Sequence, residues 1–212
     1  MLFINSTKVE DIIKNSPAGK NTKFLSAAHS LWTRFHNYEK SLPLVYEDNG
    51  EIVCLIFSTF NRDGYANLYE IVTLEGKEGK GYASKCWEAW IKYAVEERNT
   101  KRLKISCTPS SVTWHYRNGL IFWAVDPTGS LRSDQPLFPS RAEQLSYRTA
   151  VIRDPVKALP PQKARDQFLT EGLENYKWGD KKKAKTQAAI DAVGDAWLRE
   201  ALMNQPSLEE FL

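Results

Sequence analysis

The spacing of apolar positions changes several times along the chain, and each change predicts an element. Phe24, Ala27, Ala28, Leu31 and Phe35 recur at three- and four-residue intervals within "TKFLSAAHSLWTRFHNYEKS", the stripe of an amphipathic helix. Before it, Leu2 to Ile4 reads as a short strand. Asn5-Ser6-Thr7 can cap a helix through "KVEDIIKN" that stops near Pro17 and Gly19. Beyond it, "LPLVYEDNGEIVCLIFSTFNRDGYANLYEIVTL" is apolar with short polar breaks. Asp48-Asn49-Gly50 signals a hairpin, and a third strand follows Arg62-Asp63-Gly64, giving a three-stranded antiparallel meander.

A helical period returns with Ala83, Cys86, Trp87, Trp90, Ile91, Ala94 and Val95, whose broad face predicts a buried helix. "RLKISCTP" is a fourth strand, and Pro109-Ser110-Ser111 starts a short helix through "VTWHYRNG". "LIFWAVDPTGSLRSDQPLF" reads as a strand, a turn at Pro127 to Gly129 and a last strand. Asp154-Pro155 and Leu159-Pro160-Pro161 resemble a linker, followed by helices over Gln162 to Tyr176 and Asp180 to Met203. In the second of these, Ala189, Val193, Ala196 and Leu202 form a packing face. The expected organisation is a domain over 1–150, a linker over 151–161, a helical extension over 162–204 and a tail over 205–212.

Charge and cysteine content narrow the chemistry. A net charge of +3 over 212 residues neither demands nor excludes an anionic partner, so any basic site must be local. Cys54, Cys86 and Cys107 each sit in an apolar run without ligand-like spacing to a histidine, which predicts buried free thiols and no metal. Nowhere do eighteen apolar residues run together, so no membrane span is expected, and a cytoplasmic location follows from these features.

The segment "YEIVTLEGKEGKGYASKCWEAW" carries the main functional signal. A strand ends in Gly76, Gly79 and Gly81 just before a helix, with Lys77 and Lys80 beside them. Amides at a helix's positive end, with no Cβ to block approach, suit a phosphate or diphosphate. A plain flexible turn would show the same glycines, so the loop alone decides nothing.

The element order and the "GKEGKG" segment together resemble the GNAT superfamily of N-acetyltransferases. Its Gln/Arg-x-x-Gly-x-Gly/Ala signature is matched at Gly79 and Gly81 and departs at Gly76. "WHYRNGLIF" is similar to the family's Tyr-x-x-x-Gly-Phe, with Gly119 and Leu120 in the last two places, His115 four residues before Gly119 and Tyr116 three. The resemblance covers about the first 150 residues. It implies an α+β fold with a mixed, mostly antiparallel central sheet and flanking helices, here with a C-terminal helical extension. It also implies acetyl-CoA as cofactor, with Gly76, Lys77, Gly79, Lys80, Gly81 and Tyr82 at the diphosphate. The pantetheine arm would lie along Ile71 and Val72. Glu70 becomes the candidate base for the acceptor amine, and Tyr116, or His115 in its place, the candidate acid for the leaving thiolate.

The last residues, "QPSLEEFL", place Gln205, Leu208, Phe211 and Leu212 at a spacing that resembles peptides bound by DNA sliding clamps. Together with the run Lys181-Lys182-Lys183, this leaves three readings open. The first is an acyltransferase acting on a small or protein amine. The second is a phage-type member that modifies a DNA base and is tethered through a clamp. The third is a non-catalytic module associated with nucleic acid or a clamp.

Overall fold

The structure, a computed structural model, describes residues 9–35, 43–122, 124–125, 128–153 and 179–203. The expected Leu2–Ile4 strand, the linker prolines, the helix over Gln162 to Tyr176 and the tail residues Gln205, Leu208, Phe211 and Leu212 lie outside the described residues. The fold is mixed α+β, with six strands among the described residues. Two compact units divide the chain, 1–104 with 136–140 and 105–135 with 141–212.

The first unit runs α1 (Val9–Asn15), a 3-10 turn (Pro17–Lys20), α2 (Thr22–Phe35), β1 (Pro43–Asp48), β2 (Glu51–Phe60), β3 (Tyr65–Thr73), α3 (Tyr82–Glu96) and β4 (Arg102–Cys107), the last entering the second unit after Lys104. The predicted meander is present. β1 and β2 are antiparallel and joined by Asn49 and Gly50, both at positive φ (53° and 79°), the backbone that matches a two-residue hairpin turn to twisted strands. One face of β1–β3 buries Val45, Leu55, Phe57, Val72 and Leu74 against Ile12, Phe24, Ala27 and Ala28 of α1 and α2. The other face meets α3, where Trp90 Nε1 donates to Ser58 Oγ at 2.9 Å and Trp87 stacks on Trp90 at 5.3 Å. The three cysteines are free and buried; a hydrogen bond with Cys54, together with desolvation, pushes the Cys86 thiol up, and desolvation pushes the Cys107 thiol up.

A bulge interrupts the pairing of β2 with β3. Phe57 pairs with Glu70 and Ser58 with Leu68, so Tyr69 is the extra residue of the bulge. An extra residue reverses the strand's alternation. Ala66 and Leu68 therefore share the α3 face with Phe60 and Ser58, whereas Glu70 and Val72 share the α1–α2 face with Phe57 and Leu55. Tyr69 packs on that same cluster, its hydroxyl 3.3 Å from that of Thr59.

The second unit contains the end of β4, then α4 (Val112–Arg117), β5 (Ala124–Val125), β6 (Leu131–Pro136), α5 (Arg141–Arg153) and α6 (Asp180–Met203). β5 and β6 form the predicted antiparallel pair, and α6 matches the expected last helix. α6 packs on α4 and α5, burying Ala189, Ile190 and Val193, and Thr186 Oγ1 donates to the Gly129 carbonyl at 3.1 Å. α5 is an element that apolar spacing does not announce. It buries Gln144, Arg148, Val151 and Ile152, one helical face whose first two members are polar.

Candidate active site

In the first unit β3 hands over to α3 through residues 74–81. Gly76, Gly79 and Gly81 all have positive φ (80°, 76° and 75°), and a Cβ built on any of the three would meet nothing within 4 Å. Gly81 is the N-cap of α3 in the left-handed conformation, so no side chain satisfies the first amides of a 15-residue helix. Such an end carries roughly half a positive charge, directed into open space.

The loop is open yet fastened at its edges. Thr22 Oγ1 donates to the Glu75 carboxylate, and the Glu75 amide donates to Asn21 Oδ1 at 3.3 Å. Lys23 pairs with Glu78, which holds that carboxyl below its ordinary range. Lys77 Nζ lies 2.7 Å from Glu51, and the Tyr82 hydroxyl donates to Asp48 at 2.6 Å, a bond that raises the phenol's pKa. Lys77 is thus committed to a carboxylate, while Lys80 is exposed beside Gly81. None of these tethers is visible in sequence, since their partners lie tens of residues apart.

Upstream of the loop, Val72 is buried and Ile71 half-buried, on opposite faces of β3. Glu70 is half-buried beside the bulge, on the face it would not share with Val45 and Phe57 were the strand to begin in the same register without Tyr69.

The second unit holds the other two candidates. His115 and Tyr116 are both buried in α4 (7% and 5% exposed). Burial lowers the His115 pKa to about 4, and its ring stands edge-on to Trp114 at 4.7 Å. The Arg148 guanidinium of α5 lies 4.2 Å from the Tyr116 ring centroid and also donates to the Tyr116 carbonyl. Arg141 completes the join, bonding Asn118 Oδ1 at 2.9 Å and the Arg117 carbonyl at 3.0 Å. Two arginines of α5 therefore satisfy the carbonyl end of α4, where positive charge is favoured. The glycine loop and Glu70 belong to one unit, His115 and Tyr116 to the other.

A strand, an uncapped glycine turn and a helix make a place where an anion can approach the main chain, and sequence comparison gives the chain a family. The model of the acetyltransferase (GNAT) family matches residues 11–117, just over half the chain, and the chain belongs to that family of N-acyltransferase enzymes. Among solved structures it is similar to an IAA acetyltransferase from Bacillus cereus, at 14% identity over 59% of this chain and 95% of that one, with a TM-score of 0.48. It is also similar to a spermidine N-acetyltransferase chimera from Vibrio cholerae and hSSAT, at 14% identity over 68% and 99%, TM-score 0.48. Ard1 from Thermoplasma volcanium is 13% identical over 64% and 97%, TM-score 0.47. A comparison with curated proteins found no match.

Proposed function

We propose that the chain transfers an acyl group, acetyl being the expected one, from acyl-CoA to an amine by direct attack in a ternary complex. The observation that carries this reading is the row of left-handed glycines with empty space where their Cβ atoms would stand, leading into a helix without a side-chain cap. That cradle fits a diphosphate: glycine main chain borders it, the helix end behind it has no side-chain cap, and no protein atom stands where the Cβ atoms would be.

When bound, acyl-CoA supplies a thioester whose carbonyl carbon takes the new bond to nitrogen and whose sulfur departs. The amides from Gly79 to the first turn of α3 hold the diphosphate, and Lys80 adds a mobile positive charge. Ile71 and Val72 offer main-chain groups to the pantetheine arm. Glu70 takes the proton that the attacking amine must lose. Tyr116 gives its phenolic proton to the departing sulfur, a phenol being a competent general acid for a thiolate. Between the two candidate acids, chemistry favours Tyr116: an imidazole held at a pKa of about 4 is already neutral at pH 7 and has no acidic proton to give. His115 is then a packing residue.

Isothermal titration of the full chain with acetyl-CoA tests the cradle. Saturable binding is expected, and absence of heat at millimolar cofactor overturns the reading. Tyr116→Phe and Glu70→Gln test the chemistry. Each is expected to keep cofactor binding and lose turnover across a panel of amines; full turnover in either removes that residue from the mechanism.

A further inference from the structure

The first unit has a second feature that acyl transfer does not use. At the opposite end of β3 from the glycine loop, the β2–β3 turn and the C-terminus of α3 enclose a cleft of about 530 Å³. Nine residues of extended strand, about 30 Å, separate its edge at Gly64 from the loop. Such a volume suits a single small ligand or one unit of a longer one.

Part of the main chain around the cleft is spent on its own structure. The Lys101 and Arg102 amides both donate to the Gly64 carbonyl (2.8 and 3.1 Å), and the Asn61 amide donates to Tyr65. Recognition therefore falls to side chains. Arg62, Arg98 and Lys101 line the cleft against Asp63 and Glu97, and among the described residues no ion pair joins these opposite charges. Asn61 and Asn99 add neutral donors and acceptors.

The positive charge continues outward over aromatic rings. Arg98 lies 5.0 Å from the Phe60 ring centroid, and Lys104 and Arg102 lie 4.2 and 5.9 Å from that of Tyr65. In the cleft itself three cations face two carboxylates, and Arg102 and Lys104 stand beside it.

We propose that this cleft and the cations beside it bind single-stranded nucleic acid. Arg62, Arg98 and Lys101 take a phosphate, Asp63, Glu97 and the two asparagines meet the donor edges of an unpaired base, and Arg102 and Lys104 take the next phosphate along the strand. The mixed lining separates this partner from an acidic peptide, whose side chains offer the carboxylates Asp63 and Glu97 only repulsion. The size of the cleft separates it from a duplex. Planar guanidiniums suit phosphate oxygens, and cations interleaved with rings are the usual means of following a single strand.

The test is fluorescence anisotropy of a labelled twelve-residue oligothymidylate with the full chain, with coenzyme A saturating so that the glycine loop is blocked. Binding is expected that weakens with salt, each neutralised phosphate adding about 0.7 to the steepness of the log–log plot. The triple variant Arg62→Ala, Arg98→Ala, Lys101→Ala is expected to weaken binding more than tenfold and flatten that slope by about 2, with the melting temperature and coenzyme A affinity retained. The separate pair Arg102→Ala, Lys104→Ala should flatten it by about 1 to 1.5. A triple variant that binds like wild type overturns the proposal. So does loss of binding on neutralising the exposed Lys181, Lys182 and Lys183 instead, and so does equal affinity for oligoglutamate or for thymidine monophosphate.

Discussion

Two corners of this chain use left-handed glycine after opposite preparation. At the β3–α3 loop, Gly76, Gly79 and Gly81 stand in open space. After α4, Gly119 has φ of 89°, and a Cβ there would stand 2.8 Å from the backbone carbonyl carbon and oxygen of Gln144. The backbone requirement is shared; the surroundings are not. At Gly119 the missing side chain makes room for the protein's own α5, whereas at the loop it leaves room that no protein atom takes. Positive φ alone says only that glycine is needed, and the neighbouring atoms say what it is needed for.

The comparison can be broken most forcefully at the closed corner. Gly119→Ala combines a disfavoured backbone with a clash against main chain and is expected to cost about 3 kcal/mol or more in urea unfolding. A loss below about 1 kcal/mol would show that α5 moves aside freely. The next effect comes from His115, whose carbonyl receives the Leu120 amide at the same corner. Its folded pKa of about 4 lies below the unfolded value of about 6.5, so the unfolded chain binds more protons between those values. Stability conferred by the neutral ring is full above pH 6.5 and falls as pH drops, by about 2 kcal/mol at pH 5. Denaturation curves measured from pH 7 to 4.5 should show this slope in wild type and lose it in His115→Gln.

At the open corner the effects move from stability to binding. Gly81→Ala should cost only about 1 kcal/mol, from backbone strain alone, while Gly81→Val should abolish acetyl-CoA heats in titration with the fold retained. Unchanged affinity would make the loop a simple turn. The smallest effect is expected at the rim, where Lys23→Met removes an exposed pair with Glu78 and should leave the thermal midpoint where it was. A clear drop would mean that the loop's shape depends on that pair.

Much of the architecture is legible from periodicity and turn chemistry. The Phe24, Ala27 and Ala28 part of the α2 stripe, the Asn49-Gly50 hairpin and the broad face of α3 follow from local rules, and the structure carries all three. α5 escapes because its buried row begins with Gln144 and Arg148, which no apolar count registers; Arg148 is bound there by the Tyr116 carbonyl and ring of α4, far away in the chain. The glycine loop can be read as a candidate from its composition. Its tethers to Asn21, Thr22, Lys23, Asp48 and Glu51 cannot, because each joins residues brought together only by folding. The charged cleft is hidden for the same reason: Arg62 and Lys101 are ordinary surface residues until a turn and a helix end place them side by side.

The extra residue at the bulge, Tyr69, restrains how this strand can change over evolutionary time. Exchanging one side chain there for another alters a single contact. Removing the residue would restore an unbroken pleat and turn one half of the strand inside out, sending Ala66 and Leu68, or else Glu70 and Val72, to the wrong layer. Residue count in this segment is therefore under tighter restraint than residue identity, and related chains should diverge here by replacement before they diverge by gaps.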